Sequence, residues 1–196
     1  MPRRPAVGYS LVELVLVAAV VGVAAAVGLP VVVHALDAAD AAAAARHLAG
    51  LVAKARVEAA RRQRVVAVRV ERSGTELLVS LVVDGDGDGV SAADVGDGTD
   101  PCIRPPEPLS AHFARAGFGI ASGVRGIDGE SLLPGDDPVR LGPSSQLSIA
   151  PVGTSTSGTL YVSSRRGVQF AVRVAGVTGR VRVLRFVPGL GRWRPA

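Results

Sequence analysis

The sequence predicts an α+β protein in which a long N-terminal transmembrane α-helix is packed on an antiparallel β-sandwich domain. Residues 14–33 form an uncharged apolar run that is interrupted only by two glycines and Pro30. Residues 34–64 contain no proline and are dominated by alanine, the best helix former. Beyond residue 64 the apolar residues occur in short segments separated by turn residues, which is typical of antiparallel strands.

The apolar run is long enough to cross a membrane. About 20 helical residues at 1.5 Å each span the roughly 30 Å hydrocarbon core of a bilayer, so we expect about residues 11–33 to lie in the membrane. Glu13 stands at the start of this segment, and an ionisable residue there is by default functional, with an amine as its nearest candidate partner. Pro30 removes one helical hydrogen bond and permits a kink. Arg3 and Arg4 keep the N-terminus on the cytoplasmic side.

The alanine-rich segment continues the helix, which we expect to cover residues 9–64. Its apolar residues recur at steps of three and four and define one stripe: Leu36, Ala43, Leu48, Leu51, Val52, Ala55 and Ala59. Most charged residues lie off that stripe: Arg46, Lys54, Glu58, Arg61 and Arg62. One face of the helix therefore packs and the other faces water. We expect His34 and His47 to be solvent or interface residues rather than metal ligands, because no second ligand stands at helical spacing.

Residues 65–196 are predicted to form one β-rich globular domain. Residues 65–70 and 77–83 flank Ser73-Gly74 and indicate a hairpin with a tight turn. Five short segments near the C-terminus indicate further strands: 139–141, 146–149, 158–163, 169–174 and 180–186. Strands at this spacing point to antiparallel sheets packed as a sandwich. Between the two groups, where glycine, proline and aspartate are frequent, only residues 112–120 suggest another strand.

The Asp- and Gly-rich loop, residues 84–107, carries a candidate calcium site. Asp84, Asp86 and Asp88 alternate and are followed by Gly89, as at positions 1, 3, 5 and 6 of an EF-hand loop. Position 12, which should supply a bidentate carboxylate, is Val95. A complete site would need nearby carboxylates or main-chain carbonyls to fold back, and the alternative is a flexible, solvated loop that binds no metal.

The last third of the chain has the opposite charge. From residue 138 to the C-terminus there are nine arginines and no acid, whereas residues 84–137 contain eleven acids and three arginines. Because alternate residues of a strand share a face, Arg180 and Arg182 point together while Val181 turns inward. Two adjacent guanidinium groups suit phosphate. The alternatives are an ordinary solvated sheet face, or pairing with the acidic loop of the same or a neighbouring subunit.

The sequence lacks the residues that other functional classes require. Cys102 is the only cysteine, which excludes an intrachain disulfide and the usual thiolate metal cages. The serines have no accompanying histidine and acid arrangement, and the glycine-rich turns lack a Walker-type ending. We therefore expect no enzymatic activity and no nucleotide or redox cofactor.

The N-terminus resembles that of a type IV prepilin. The resemblance is carried by a short basic leader with Arg3 and Arg4, by Gly8 before the aromatic Tyr9, by Glu13 and by Pro30. It implies that prepilin peptidase removes residues 1–8 by cutting between Gly8 and Tyr9, and methylates the new amine. It also implies that Glu13 pairs with the N-terminal amine of a neighbouring subunit. An ordinary signal peptide cleaved near residues 24–26 and a plain single-pass anchor are the alternatives.

The order of elements along nearly the whole chain resembles the GspH/FimT family, including Gly-Thr-Leu-Tyr-Val at residues 158–162 and Gly-Arg-Val-Arg at residues 179–182. This resemblance implies a minor pseudopilin of a type II secretion system, a structural subunit of an inner-membrane-rooted pseudopilus with its C-terminal domain in the periplasm. Its partners would be other pseudopilins or pilins, prepilin peptidase, the inner membrane and secreted cargo. The alternative is a FimT-like minor type IV pilin that binds DNA during uptake through Arg180 and Arg182. A calcium-binding secreted domain would require the signal-peptide interpretation.

Overall fold

The computed structural model describes residues 10–142 and 144–196 and separates into two compact units, Met1–Leu36 and Asp37–Ala196. Helix α1 covers Leu11–Arg62, continues through Pro30, and is followed by Gln63 in a left-handed conformation with φ of 54°. The Gln63 side chain donates to the Ala60 carbonyl, one of the acceptors left free at a helix C-terminus. The helix therefore ends two residues before the predicted boundary.

The second unit contains ten strands and one further short α-helix in its described residues. The strands are β1 (Val66–Ser73), β2 (Glu76–Val83), β3 (Cys102–Pro108), β4 (Ala116–Phe118), β5 (Val139–Arg140), β6 (Gln146–Ile149), β7 (Gly158–Ser164), β8 (Gln169–Ala175), β9 (Arg180–Val187) and β10 (Arg192–Pro195). Helix α2 covers Ala92–Asp97, between β2 and β3. Two 3-10 turns, Leu109–Ala111 and Pro188–Leu190, complete the regular structure.

The strands form two antiparallel sheets. The first has the order β3-β2-β1-β6, and the second has the order β10-β9-β8-β7-β4, with β5 pairing beside β4 on β7. The β1–β2 ladder runs from Val66 opposite Val83 to Ser73 opposite Glu76, so only Gly74 and Thr75 form the turn. Gly74 has a positive φ of 60°, as a tight hairpin turn requires. The α+β prediction and the predicted hairpin are confirmed.

One hydrophobic core joins the C-terminal part of α1 to both sheets. The helix contributes mainly alanines, which include Ala41, Ala44 and Ala45, together with Leu48. The strands contribute alternate residues, as in Leu160 and Val162 of β7, or Val172 and Val174 of β8. Five residues of the predicted apolar stripe lie in this core: Leu48, Leu51, Val52, Ala55 and Ala59. The other two do not, because Ala43 is half-buried and Leu36 is exposed.

The opposite faces of the two sheets are also partly covered, by α2 and by segments that connect strands. Val90 and Val95, from the Asp- and Gly-rich loop, pack on Ala67 of β1 and Val82 of β2. Ile120, Val124 and Leu132, from the segment between β4 and β5, form a second cluster with residues on the outer face of β7, β8 and β9: Tyr161, Ala171 and Phe186. Both sheets are therefore buried on two sides over part of their area.

Two strands lie outside the predicted pattern. β3 contains Pro105, Pro106 and Pro108, and it occupies the edge of its sheet with register irregularities against β2. An edge strand tolerates proline because the missing N–H can face away from the ladder. β10, the other strand that was not predicted, forms one edge of the second sheet. The predicted strand at 112–120 is limited to Ala116–Phe118 and follows a 3-10 turn.

Candidate functional site

The N-terminal unit presents an apolar surface along its described helix. The large side chains from Leu11 to Val32 are exposed, and the most apolar window has no buried part. This helix is long and apolar enough to form a single membrane span. Ser10 precedes the first turn, where its hydroxyl accepts a hydrogen bond from the Val12 N–H at 3.3 Å. Glu13 is exposed in that turn, among apolar neighbours.

The predicted processing site, Gly8 and Tyr9, lies outside the described residues. Its cleavage stays a prediction, as does the proposed pairing of Glu13 with an amine. Pro30, the other predicted assembly residue, lies within α1.

The acidic loop is built around two buried carboxylates. Asp84 accepts hydrogen bonds from the Gly87 and Gly89 N–H groups, at 2.6 and 3.2 Å. Asp100 folds back and accepts from the N–H groups of Gly85 and Ser91, at 2.9 and 3.0 Å. The loop is therefore ordered by its own aspartates.

Three aspartates of this loop lie close to one another, as the predicted calcium site requires. One carboxylate oxygen from each of Asp84, Asp86 and Asp88 lies within 4.8 Å of the others. The Asp86 carboxylate raises the pKa of Asp88, because the two negative charges repel each other. Asp94 is turned elsewhere, since it contacts the Ser91 hydroxyl that caps α2. The oxygen donors suit a hard cation, which would need main-chain carbonyls or water to reach six ligands.

Arg180 and Arg182 are exposed on one face of β9, while Val181 and Val183 pack against the core. Arg182 stands opposite Arg173 of β8 in the strand register. Arg173 binds Asp128 at 2.8 Å, an acid of the same chain that lies outside the acidic loop of residues 84–107. In the described ranges 10–142 and 144–196, neither Arg180 nor Arg182 forms an ion pair. These two guanidinium groups are consequently available to an external anion.

Gly179, which precedes Arg180 and Arg182, is required by the backbone conformation and the close packing at this position. Gly179 has φ of 58°, and a Cβ atom there would lie 2.5 Å from the Gly153 carbonyl oxygen. Arg56 of α1 reaches the same point and donates to the carbonyls of Thr178 and Gly179, at 3.1 and 3.4 Å. These two hydrogen bonds hold the β8–β9 turn against the helix.

A charged cluster at the start of the second unit has no counterpart among the predicted sites. Asp37 is buried, and its two oxygens contact Arg115 at 3.4 Å and Arg166 at 3.5 Å. Asp40 accepts a hydrogen bond from the Arg115 N–H at 3.2 Å. The partners are more than seventy residues apart in the sequence, so no local pattern could have indicated them.

A second cluster surrounds His47, which is half-buried. Its ring centroid lies 5.6 Å from the rings of both His112 and Phe113. His112 contacts Glu107 at 3.2 Å. Burial, and next the nearby Arg104 charge, lower the pKa of His47.

No protein-family model matches this chain, and neither a curated protein nor a solved structure matches it. A long N-terminal apolar helix is followed by an antiparallel β-sheet domain, and this arrangement is compatible with a pilin-like fold.

Proposed function

We propose that this chain is a minor pseudopilin of the GspH/FimT type, a structural subunit of the inner-membrane-rooted pseudopilus of a type II secretion system. The observation that carries the proposal is the division of α1. Its N-terminal part exposes large apolar side chains, whereas residues 41–59 bury an alanine-rich stripe against the β domain. Such a helix is suited to lie in a membrane first and to pack among other apolar helices later.

In the proposed mechanism, prepilin peptidase removes residues 1–8 and exposes the amine of Tyr9. Glu13 follows that amine by four positions, in the first turn of α1. A carboxylate surrounded by apolar side chains is costly without a partner, and the amine of a neighbouring subunit supplies the opposite charge. Subunits then associate through α1, while the β domain docks on other minor subunits or on secreted cargo in the periplasm. This role requires no catalysis.

N-terminal sequencing of the mature protein tests the processing step. We expect the mature chain to begin at Tyr9 with a methylated amine, and Gly8→Leu to leave the leader in place. Phe113→Leu, a substitution far from the leader, serves as a processing control. A mature N-terminus at any other residue would remove the basis of the proposal.

The single cysteine tests the proposed location. Cys102 is exposed at the start of β3, so a membrane-impermeant maleimide added to spheroplasts should label it without detergent. Cys102→Ser is the control for labelling. Protection of Cys102 until the membrane is permeabilised would place the domain in the cytoplasm and contradict the proposal.

A second candidate is a FimT-like minor type IV pilin that binds DNA during uptake. It is favoured by the position of Arg180 and Arg182 on one face of β9, where neither has an ion-pair partner among the described residues. We would expect a salt-dependent DNA mobility shift that disappears in Arg180→Ala/Arg182→Ala. Arg61→Ala/Arg62→Ala, which removes two exposed helix arginines, is the matched control. The absence of any shift at low salt would end this candidate.

A further inference from the structure

A solvent-open cleft of about 270 Å³ lies beside the edge strand β4. Its charged and hydroxyl-bearing residues are Ser110, Arg115, Ser163, Ser164 and Arg165. Ala116 and Phe118 of β4 supply part of its apolar lining. We call this feature the arginine–serine cleft. Its volume is close to the lower end of the range for small-molecule sites, and it combines an apolar wall with a few polar groups.

The two arginines of the cleft occupy facing backbone positions on neighbouring strands. The β4–β7 ladder pairs Ala116 with Ser164, so the next positions, Arg115 and Arg165, stand opposite each other. The Arg165 N–H donates to the Arg115 carbonyl at 3.0 Å, which continues the ladder by one residue. Like charges directly opposite each other destabilise a sheet. An anion between the guanidinium groups would remove that repulsion.

The neighbouring acids compensate this charge only in part. Asp37 is shared by Arg115 and Arg166, and Asp40 binds the Arg115 main chain. Arg115 uses one side-chain donor for Asp37 and retains others, because a guanidinium group has five N–H donors. Arg165 is exposed, and the part of the chain that the structure describes gives it no carboxylate partner. The cleft therefore keeps a net positive charge.

The cleft lies close to the first residue of the second unit. Arg115, which lines the cleft, contacts Asp37, the first residue of the second unit. Asp37 follows Val33, the last residue of the apolar run, by four positions. We propose that the arginine–serine cleft binds the phosphodiester headgroup of an anionic phospholipid at the surface of the membrane that α1 enters.

The chemistry of the cleft matches that ligand. Planar guanidinium groups bind phosphate oxygens through paired donors, and the Ser163 hydroxyl can bind the polar headgroup. Basic residues next to a membrane span are attracted to anionic lipid surfaces. The inference rests on the proposed membrane span, but it requires neither leader cleavage nor filament assembly.

The test uses the full chain in nanodiscs of phosphatidylcholine, with or without phosphatidylglycerol. Arginine modification by phenylglyoxal is followed residue by residue with peptide mass spectrometry. We expect modification of Arg115 and Arg165 to slow about fivefold in the discs that contain phosphatidylglycerol, the factor for one basic residue at an anionic surface. Arg182, exposed on β9, is the internal control and should react at the same rate in both.

Variants distinguish a specific headgroup site from a general electrostatic attraction of basic residues to the membrane. Arg165→Gln should remove most of the protection of Arg115, while Arg165→Lys should retain part of it. Equal rates in the two kinds of disc, or equal slowing at Arg182, would overturn the proposal. Inorganic phosphate that reproduces the protection in phosphatidylcholine discs would overturn the assignment to lipid.

Size-exclusion chromatography of the discs tests the span separately. A chain that does not elute with either disc contradicts the membrane span and, with it, the headgroup site. A chain that enters both discs without lipid-dependent protection contradicts the headgroup site alone.

Discussion

Gly179→Ala tests how closely the β8–β9 turn packs against Gly153 and Arg56. A methyl group at this position would meet two obstacles. The backbone has φ of 58°, and the new Cβ would lie 2.5 Å from the Gly153 carbonyl oxygen and 3.4 Å from the Arg56 guanidinium carbon. Backbone atoms cannot move away as a flexible side chain can, so the turn itself must shift.

The expected cost is the sum of two contributions. A left-handed conformation costs a non-glycine residue roughly 1–2 kcal/mol, and forcing an extra carbon into an occupied site costs about 1–3 kcal/mol. Gly74→Ala isolates the first contribution, since Gly74 has φ of 60° and a Cβ atom added there would meet no atom within 4 Å. Gly191→Ala, with φ of 57° and equally open space, repeats that control beside β9. Gly179→Ala should therefore be less stable than either control by about 1–3 kcal/mol.

Trp193 provides the assay. It is the only tryptophan of the chain and packs against Tyr161 and Phe186 in the second sheet. Thermal unfolding followed by its fluorescence should show Gly179→Ala melting about 2–12 °C below Gly74→Ala, at roughly 2–4 °C per kcal/mol for a chain of this size. Equal melting temperatures for the two variants would refute the close contact on which the reasoning rests.

Three other substitutions test the remaining clusters. The folded pKa of His47 is lowered from 6.5. The contribution of His47 to stability is therefore complete above pH 6.5 and is lost as the pH falls from 6.5 through the folded pKa. The stability of His47→Gln should depend less on pH in this range than the stability of wild type, and an unchanged dependence would contradict this. Asp37→Asn should lower the free energy of unfolding in denaturant by about 1–2 kcal/mol, since the arginine partners of Asp37 are partly exposed. The surface variant Asp136→Asn should lower it by less than about 0.5 kcal/mol. Equal losses in the two variants would argue against the ion pairs of the buried Asp37. Calcium at 100 times its dissociation constant should raise the melting temperature of wild type and Asp97→Ala by about 5–10 °C and leave Asp86→Ala unchanged; no effect on wild type would exclude the site.

The elements that were predictable from the sequence are those whose own residues suffice to define them. Helix α1 has long uninterrupted apolar and alanine-rich segments. The hairpin β1–β2 has Gly74 in its turn, and β6 begins and ends at the predicted residues, 146 and 149. Local pattern also indicated the acidic triad, because alternating aspartates in a turn must lie near one another.

The remaining elements depend on partners distant in the sequence. β3 contains three prolines and forms a strand only because β2 supplies a ladder with a free edge. The sequence of the acidic loop predicts a solvated segment, yet its residues Val90 and Val95 pack on one face of the sheet that contains β1 and β2. Asp37 and Arg115 look like ordinary surface charges until the fold brings them together. No periodicity within a segment carries this information.

The composition of α1 differs between its two parts. Residues 14–33 are rich in valine and leucine, which maximise apolar surface, and those side chains are exposed. From residue 41 onward the buried positions are mostly alanine, and five of them, Ala41, Ala44, Ala45, Ala55 and Ala59, have no exposed surface. Small side chains allow the sheets to approach the helix closely, and a core packed at that density has no space for additional methylene groups. A single continuous helix can thus serve a lipid-like environment at one end and a protein core at the other, because the size of its apolar side chains changes at Asp37, where the charged cluster begins.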